Sequence, residues 1–168
     1  GQMNRVIPDW KTLNDLKQPL TEGERFLIQF LDDNLKKDSD FIYDDNKSKN
    51  ENLANYKGWL IFVQPYLNGS RPDIVLLNPF IGCQIIEVKD WDLAHYRYNQ
   101  NNDFCVSDTN GTYPIKSPIE QVKYYKEKII GQLLPQIGEK IDNYNKNYGL
   151  IKTSVYFHNA TTNECQSL

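Results

Sequence analysis

The sequence has few cysteines, no long apolar run and little net charge, and each shortage excludes a class of protein. Its three cysteines (Cys83, Cys105 and Cys165) form no CxxC pair. This spacing argues against a disulfide framework and against a thiolate zinc site, and it favours a reducing compartment, so we expect a cytoplasmic protein. No apolar run approaches the roughly 20 residues that span a bilayer, and no signal-peptide segment is visible, so no membrane partner is expected.

The charge and composition set the size and class of the protein. A formal net charge of −3 excludes proteins that bind nucleic acid through bulk positive charge, although a local basic groove stays possible. The 168 residues suffice for one domain of ordinary size, and 39% hydrophobic residues can fill its core. Gly1-Gln2 is typical of a cloning remnant and Met3 of a native start. We expect residues 1–19 to be a lead-in and residues 20–168 to form one domain.

The first half of the chain predicts one helix and three strands. Thr21 and Glu24 have the spacing of a capping box, in which each side chain satisfies the other residue's backbone N–H. The apolar face of the helix that follows is formed by Leu27, Phe30, Leu31 and Leu35. Residues 38–57 are polar and predict a loop with one short strand. Strands are then predicted within residues 59–67, 71–77 and 83–88.

The second half predicts a hairpin, a helix and a last strand. The hairpin joins residues 96–98 to 104–106. Ser117-Pro118 is a good helix start, and the helix ends before Pro135. Residues 150–157 alternate as a strand. The order helix, three strands, hairpin, helix, strand predicts a single α/β domain.

Two acids and a lysine converge in the hairpin of the second and third predicted strands. A five-residue turn pairs Leu77 with Cys83. The same register places Asp73 opposite Glu87, and opposed residues share a face with Cβ atoms within about 5.5 Å. Lys89 lies on that face too, because side chains two apart in a strand point the same way.

Two opposed carboxylates repel each other, so this pair requires a compensating cation. Mg²⁺ prefers hard oxygen ligands and keeps several waters, and Mn²⁺ is expected to substitute for it. Such an ion activates water and neutralises charge on a phosphodiester, while Lys89 stabilises the transition state or orients the attacking water. The alternative interpretation of the same three residues is a surface ion network.

Pro72-Asp73 followed by Glu87-Val88-Lys89 resembles the PD-(D/E)XK nuclease signature. More specifically, the chain resembles the nuclease-related domain (NERD) family over about residues 20–157. The segments that carry the resemblance are Gly23-Glu24, Arg71 to Val75, Glu87 to Trp91 and Ser117 to Val122. A bare PD…ExK pattern recurs by chance, but four segments in this order are far more specific.

The resemblance implies a restriction-endonuclease-like αβββαβ core, with a central mixed sheet flanked by helices, and metal-dependent cleavage of DNA. It implies that Asp73 and Glu87 hold the metal with the backbone carbonyl of Val88. Lys89 would then be the catalytic lysine.

Two further residues match positions that line the family's site. Glu24 matches a first-helix glutamate that reaches the metal through water or holds a second ion. Gln121 matches a glutamine of the second helix. Each also has an ordinary alternative, because Glu24 can serve only as a capping residue and Gln121 lies beside an apolar stripe.

Five basic residues are candidates for a rim that binds the DNA backbone, and surface solvation is the alternative for each. They are Lys57, Arg71, Arg97, Lys116 and Lys123.

The favoured function is therefore a Mg²⁺-dependent deoxyribonuclease of bacterial DNA processing. The first alternative is a catalytically silent module of the same fold that binds DNA or docks a helicase, and a second is a purely structural interaction domain. Similar domains are often fused to superfamily I or II helicases, so a helicase domain in a longer chain is an expected partner.

Overall fold

A computed structural model describes residues 3–66, 71–90, 96–101, 104–108, 111–114 and 151–158. The helices are α1 (Trp10–Asn14), α2 (Glu22–Asn34) and α3 (Lys49–Ala54). The strands are β1 (Val6–Ile7), β2 (Leu60–Val63), β3 (Ile74–Asn78), β4 (Gly82–Lys89), β5 (Tyr96–Tyr98), β6 (Phe104–Asp108), β7 (Gly111–Pro114) and β8 (Ile151–Phe157). Among the described residues, no helix is long and apolar enough to cross a membrane.

The main sheet has five strands in the order β1-β2-β3-β4-β8. β1 runs parallel to β2, and β4 runs parallel to β8, while the β2–β3 and β3–β4 pairs are antiparallel. The predicted α/β class is confirmed, and this mixed sheet with its helices is consistent with a restriction-endonuclease-like fold. The predicted second helix lies within residues 115–150, outside the described residues.

The register of the central hairpin agrees with the prediction. Leu77 pairs with Cys83, and Ile74 pairs with Ile86 at the other end of the ladder. The predicted hairpin of β5 and β6 is also present, and β7 adds a third antiparallel strand to this small sheet. The turn sets this register, because Asn78 pairs with Gly82 across residues 79–81.

Apolar side chains cover both faces of the main sheet. One face packs on α2 and includes Ile61, Ile74, Ile86 and Val88. The other face includes Phe62, Val75, Leu77 and Ile85, and it packs on Leu53 of α3 and on Tyr56, two residues after that helix. Because both faces of β3 and β4 are covered, these strands are buried along most of their length.

Helix α2 buries Leu27, Ile28 and Leu31, but Phe30 is 52% exposed. The prediction that Phe30 belongs to the apolar face is therefore wrong. Ile28 is completely buried and marks the centre of that face. Phe30, two residues on, is rotated by about 200° around the helix, so it points away from the sheet and stacks on Phe26.

The loop predicted for residues 38–57 contains α3, and no strand occurs among these described residues. Ser48 caps the helix by accepting a hydrogen bond from the backbone N–H of Glu51. The buried side chain of Asn52 donates to the carbonyls of Asp44 and Ser48. A polar segment thus becomes helical because its amide and hydroxyl groups satisfy the backbone locally.

The lead-in residues contribute to the same sheet and to the end of α2. Val6 pairs with Ile61 in the β1–β2 ladder. The buried guanidinium of Arg5 lies 2.7 Å from Asp32 Oδ1 and donates to the carbonyls of Asp32 and Leu35. Since the last carbonyls of a helix lack partners within it, Arg5 supplies donors at the C-terminal end of α2.

The N-terminal end of α2 is fixed against the end of β4. The predicted capping box is confirmed, with Thr21 and Glu24 each accepting from the other's backbone N–H. The N–H of Gly23 donates to Asp90 Oδ1 at 3.1 Å, one residue beyond β4. These contacts place Glu24 beside the ends of the central strands.

We predict that Gly23→Ala destabilises the protein by about 1–3 kcal/mol, because the added methyl group overpacks this contact. A Cβ at residue 23 would lie 2.5 Å from Asp90 Oδ1 and 2.9 Å from His158 Cβ. Glycine to alanine within a helix normally stabilises it by about 1 kcal/mol, so the expected sign is reversed. Denaturant unfolding of this variant and of Gln29→Ala, at an exposed position of α2, measures the effect. A stabilised Gly23→Ala protein would contradict the prediction.

Candidate active site

Asp73 lies directly before β3 and completes the ladder where the backbone pairing stops. Its Oδ2 accepts a hydrogen bond from the Val88 N–H at 2.8 Å. Continuing the register by one pair places Val88 opposite Pro72. Since proline has no N–H, the ladder supplies no donor to the Val88 carbonyl at this point. The Asp73 carboxylate and the Val88 backbone carbonyl therefore both lie at the open end of the hairpin.

Glu87 is a buried acid on the central strand, with only 3% of its surface exposed. Its neighbours in the sheet explain this burial, because it pairs with Val155 of β8 and follows Ile85 on the same face. Its Oε2 is buried and lacks a hydrogen-bond partner among the described residues. A buried carboxylate oxygen without a partner is costly, and such groups are usually satisfied by a charge or a metal.

Lys89 supplies the positive charge beside this acid. Its Nζ lies 3.4 Å from Glu87 Oε1, and the lysine side chain is 19% exposed. The prediction that both side chains share one face of the strand agrees with this contact. The burial of Glu87 does not match a surface ion network, which was the alternative interpretation.

Glu24 has both a capping role and a place beside the acids. Its Oε1 accepts from the Thr21 N–H at 2.9 Å, and its Oε2 accepts from Gln64 Nε2 at 3.0 Å. Glu24 is only 6% exposed, and its charge contributes to raising the pKa of Asp73. The helix thus carries a third carboxylate toward Asp73.

Gln64, directly after β2, connects these parts and was missed in the sequence. Its backbone has φ of 48°, which is uncommon for a residue with a side chain. Its N–H donates to the Asp73 carbonyl at 2.8 Å, and its own carbonyl accepts from Arg71 Nε at 3.0 Å. The only local signal was Pro65, which marks the strand end, and nothing local points to a partner 40 residues away.

Burial and nearby negative charge raise the pKa values of both acids. The pKa of Glu87 rises to about 8, chiefly because of burial and then because of the Asp73 charge, and Lys89 opposes the rise. The pKa of Asp73 is also raised, chiefly by burial, against the lowering effect of the Val88 N–H. A site that holds two carboxylates in this way favours either a proton or a bound cation.

A cleft of about 630 Å³ opens beside these groups. It is lined by Leu16, Lys17, Gln18, Pro19, Thr21, Glu24, Gln64, Arg71 and Asp73. Glu87 and Lys89 are not part of this lining. The cleft therefore reaches the site through Asp73 and Glu24.

The other predicted site residues have different positions. Arg71 lines the cleft, whereas Lys57 precedes the start of β2, at the opposite end of that strand from Gln64. Arg97 lies exposed on β5 of the small sheet. The remaining three candidates lie outside the described residues: Lys116, Gln121 and Lys123.

The donor set fits a hard divalent cation that keeps several waters. Among the described residues, no group of three or more His, Cys, Asp or Glu side chains is arranged to hold a metal ion. Two carboxylates are nonetheless a usual protein share for Mg²⁺, whose remaining ligands are waters and substrate phosphates. The unpartnered Oε2 of Glu87, the Asp73 carboxylate and the Val88 carbonyl all offer oxygen.

We predict that the metal-free protein loses stability as the pH rises from about 4.5 to about 8. The folded-state pKa of Glu87 is raised to about 8 from an ordinary 4.5, so the folded protein binds this proton more tightly than the unfolded chain does. The protonated Glu87 therefore stabilises the fold fully below pH 4.5, and this stabilisation is lost as the pH rises to about 8. Glu87→Gln should remove this loss and be more stable than wild type at pH 8. Denaturant unfolding in EDTA at several pH values measures it. Asp45→Asn, at an exposed loop position, is the control, and parallel curves for wild type and Glu87→Gln would refute the prediction.

We also predict that Gln64→Leu destabilises the protein by about 1–2 kcal/mol, because the buried Glu24 carboxylate loses a donor. Leucine is similar in size and has the same backbone cost at positive φ, so the amide is the main change. Gln29→Leu provides the matched control, since Gln29 is exposed and bonds only within its helix to Asp33. Thermal or urea unfolding gives the comparison, and equal stability of the two variants would count against the role of Gln64.

Comparison with known proteins identifies the family. The family model described as nuclease-related domain matches residues 20–158, more than half of the chain. No curated protein and no solved structure matches the chain. The matched range contains Asp73, Glu87 and Lys89, which carried the resemblance in the sequence. The chain therefore belongs to the nuclease-related domain (NERD) family, within the PD-(D/E)XK superfamily.

Proposed function

We propose that the chain is a metal-dependent deoxyribonuclease that hydrolyses DNA phosphodiester bonds with Mg²⁺ or Mn²⁺. The observation that carries the proposal is the buried carboxylate of Glu87, which lies beside Asp73 and Lys89 and has an unpartnered oxygen. Family membership supports nuclease-related chemistry in general. The metal and the DNA substrate are the proposed additions.

Each residue has a separate task in the proposed reaction. Asp73, Glu87 and the Val88 carbonyl would hold the ion, which lowers the pKa of bound water and neutralises phosphate charge. The backbone N–H of Val88 donates to the Asp73 carboxylate and so holds this side chain at the end of the strand. Lys89 carries a positive charge to within 3.4 Å of Glu87 and is partly exposed, so it can contact a phosphate oxygen or orient the water.

Glu24 is proposed to act through water or at a second ion. Both of its oxygens already accept hydrogen bonds, from Thr21 and Gln64. A carboxylate has about four lone-pair sites, so each oxygen can still accept from a water. These hydrogen bonds favour contact between Glu24 and the metal ion through a water over direct coordination of that ion by Glu24.

The alternative function is a catalytically silent module that binds DNA or docks a helicase. Such a module would bind DNA without metal-dependent turnover. The ion pair between Lys89 and the buried Glu87 argues against it, because binding alone does not require burial of an acid.

We predict that Asp73→Ala, Glu87→Ala and Lys89→Ala each lower Mg²⁺-dependent DNA cleavage by at least about 100-fold. Mg²⁺ and Mn²⁺ should each raise the melting temperature of the wild-type protein, and the variants Asp73→Asn and Glu87→Gln should show a smaller rise. Asp45→Asn, an exposed acid in a loop, should cleave normally.

Cleavage is measured on labelled DNA in Mg²⁺, in Mn²⁺ and in EDTA, with circular dichroism as a test of folding. Undiminished cleavage by a folded Asp73→Ala or Glu87→Ala protein would refute the assignment. A wild-type protein that binds DNA but does not cleave it with either ion would favour the silent module.

A further inference from the structure

One wall of the cleft comes from the connection between α1 and α2, which precedes the range matched by the family model. Residues 16–19 of this connection line the cleft, together with Arg71 and the acids Glu24 and Asp73. The family match begins at residue 20, so the matched family positions do not include this wall.

The connection is anchored at both ends by apolar packing. Leu16 packs against the core cluster beneath α2, and Leu20 is buried with 7% of its surface exposed. Lys17 and Gln18 lie between these anchors and are exposed. Their position along the cleft wall is therefore set by the fold on either side.

The residues that line the cleft carry charges of both signs. Lys17 and Arg71 are the basic residues of the lining, while Glu24 and Asp73 are acidic. Arg71 uses Nε to donate to the Gln64 carbonyl, which fixes the guanidinium. Its four other N–H groups suit a phosphate, as a guanidinium has five donors in a planar fork.

We propose that Lys17 and Arg71 bind phosphates of the DNA strand that enters this cleft, and so position the strand over Asp73. The acidic residues of the cleft repel DNA until a cation neutralises them, whereas the basic residues attract the backbone phosphates. The inference rests on the proposed function for the identity of the polymer. It adds a binding residue, Lys17, that the lead-in segment contributes.

The test compares Lys17→Gln with Lys11→Gln. Lys11 is an exposed lysine of α1 outside the cleft lining, so both variants change the net charge equally. Binding of a fluorescein-labelled DNA duplex is measured by anisotropy in Ca²⁺ over a range of KCl concentrations. Loss of one phosphate contact should weaken binding by roughly threefold to tenfold and reduce the salt slope by about 0.9, whereas Lys11→Gln should match wild type.

A Lys17→Arg variant should show the wild-type salt dependence of DNA binding, because it keeps the positive charge. A purely structural role for the segment would not require that result. Equal behaviour of Lys17→Gln and Lys11→Gln would overturn the inference, as would a wild-type protein without salt-dependent binding. Cleavage is measured separately in Mg²⁺ and Mn²⁺. If Lys17→Gln weakens DNA binding but the wild-type protein does not cleave DNA, the inference about Lys17 stands and the nuclease function is refuted. If the wild-type protein cleaves DNA but Lys17→Gln binds it as wild type does, the nuclease function stands and the inference about Lys17 is refuted.

Discussion

The hydrogen bond from the Val88 N–H to the Asp73 carboxylate is the contact on which the site depends. It replaces the backbone carbonyl that the Val88 N–H would otherwise meet opposite Pro72, at the next position of the ladder between β3 and β4. A side chain thus extends the pairing by one position. As a result, Asp73 is held at the strand end beside Glu87, where its negative charge raises the pKa of Glu87.

The sequence predicted this part of the molecule well because its determinants are local. The turn set the register of β3 and β4, and the capping-box spacing set the start of α2. Asp73, Glu87 and Lys89 could be placed together from these rules alone. The face of Phe30 was mispredicted because apolar character alone does not locate the centre of a helix face.

Contacts between distant segments were beyond the reach of the sequence. Gln64 meets Glu24 across 40 residues, and Arg5 meets Asp32 across 27. Neither pair follows a periodic pattern, since each depends on how α2 lies over the sheet. The extent to which Glu87 is buried was equally invisible, because it follows from β8 pairing on the far side of β4. Gln121, Lys116 and Lys123 stay predictions.

The guanidinium of Arg5 has a consequence for where the folding unit begins. A fragment cut at the family boundary, residue 20, would lose β1 and this side chain together. Asp32 and the carbonyls at the end of α2 would then lose their charged donor, while Ile61 would lose the backbone acceptor at Arg5. The family match therefore delimits the shared part of the domain, whereas the hydrogen bonds of Arg5 and the β1–β2 pairing show that the packed structure begins well upstream of residue 20.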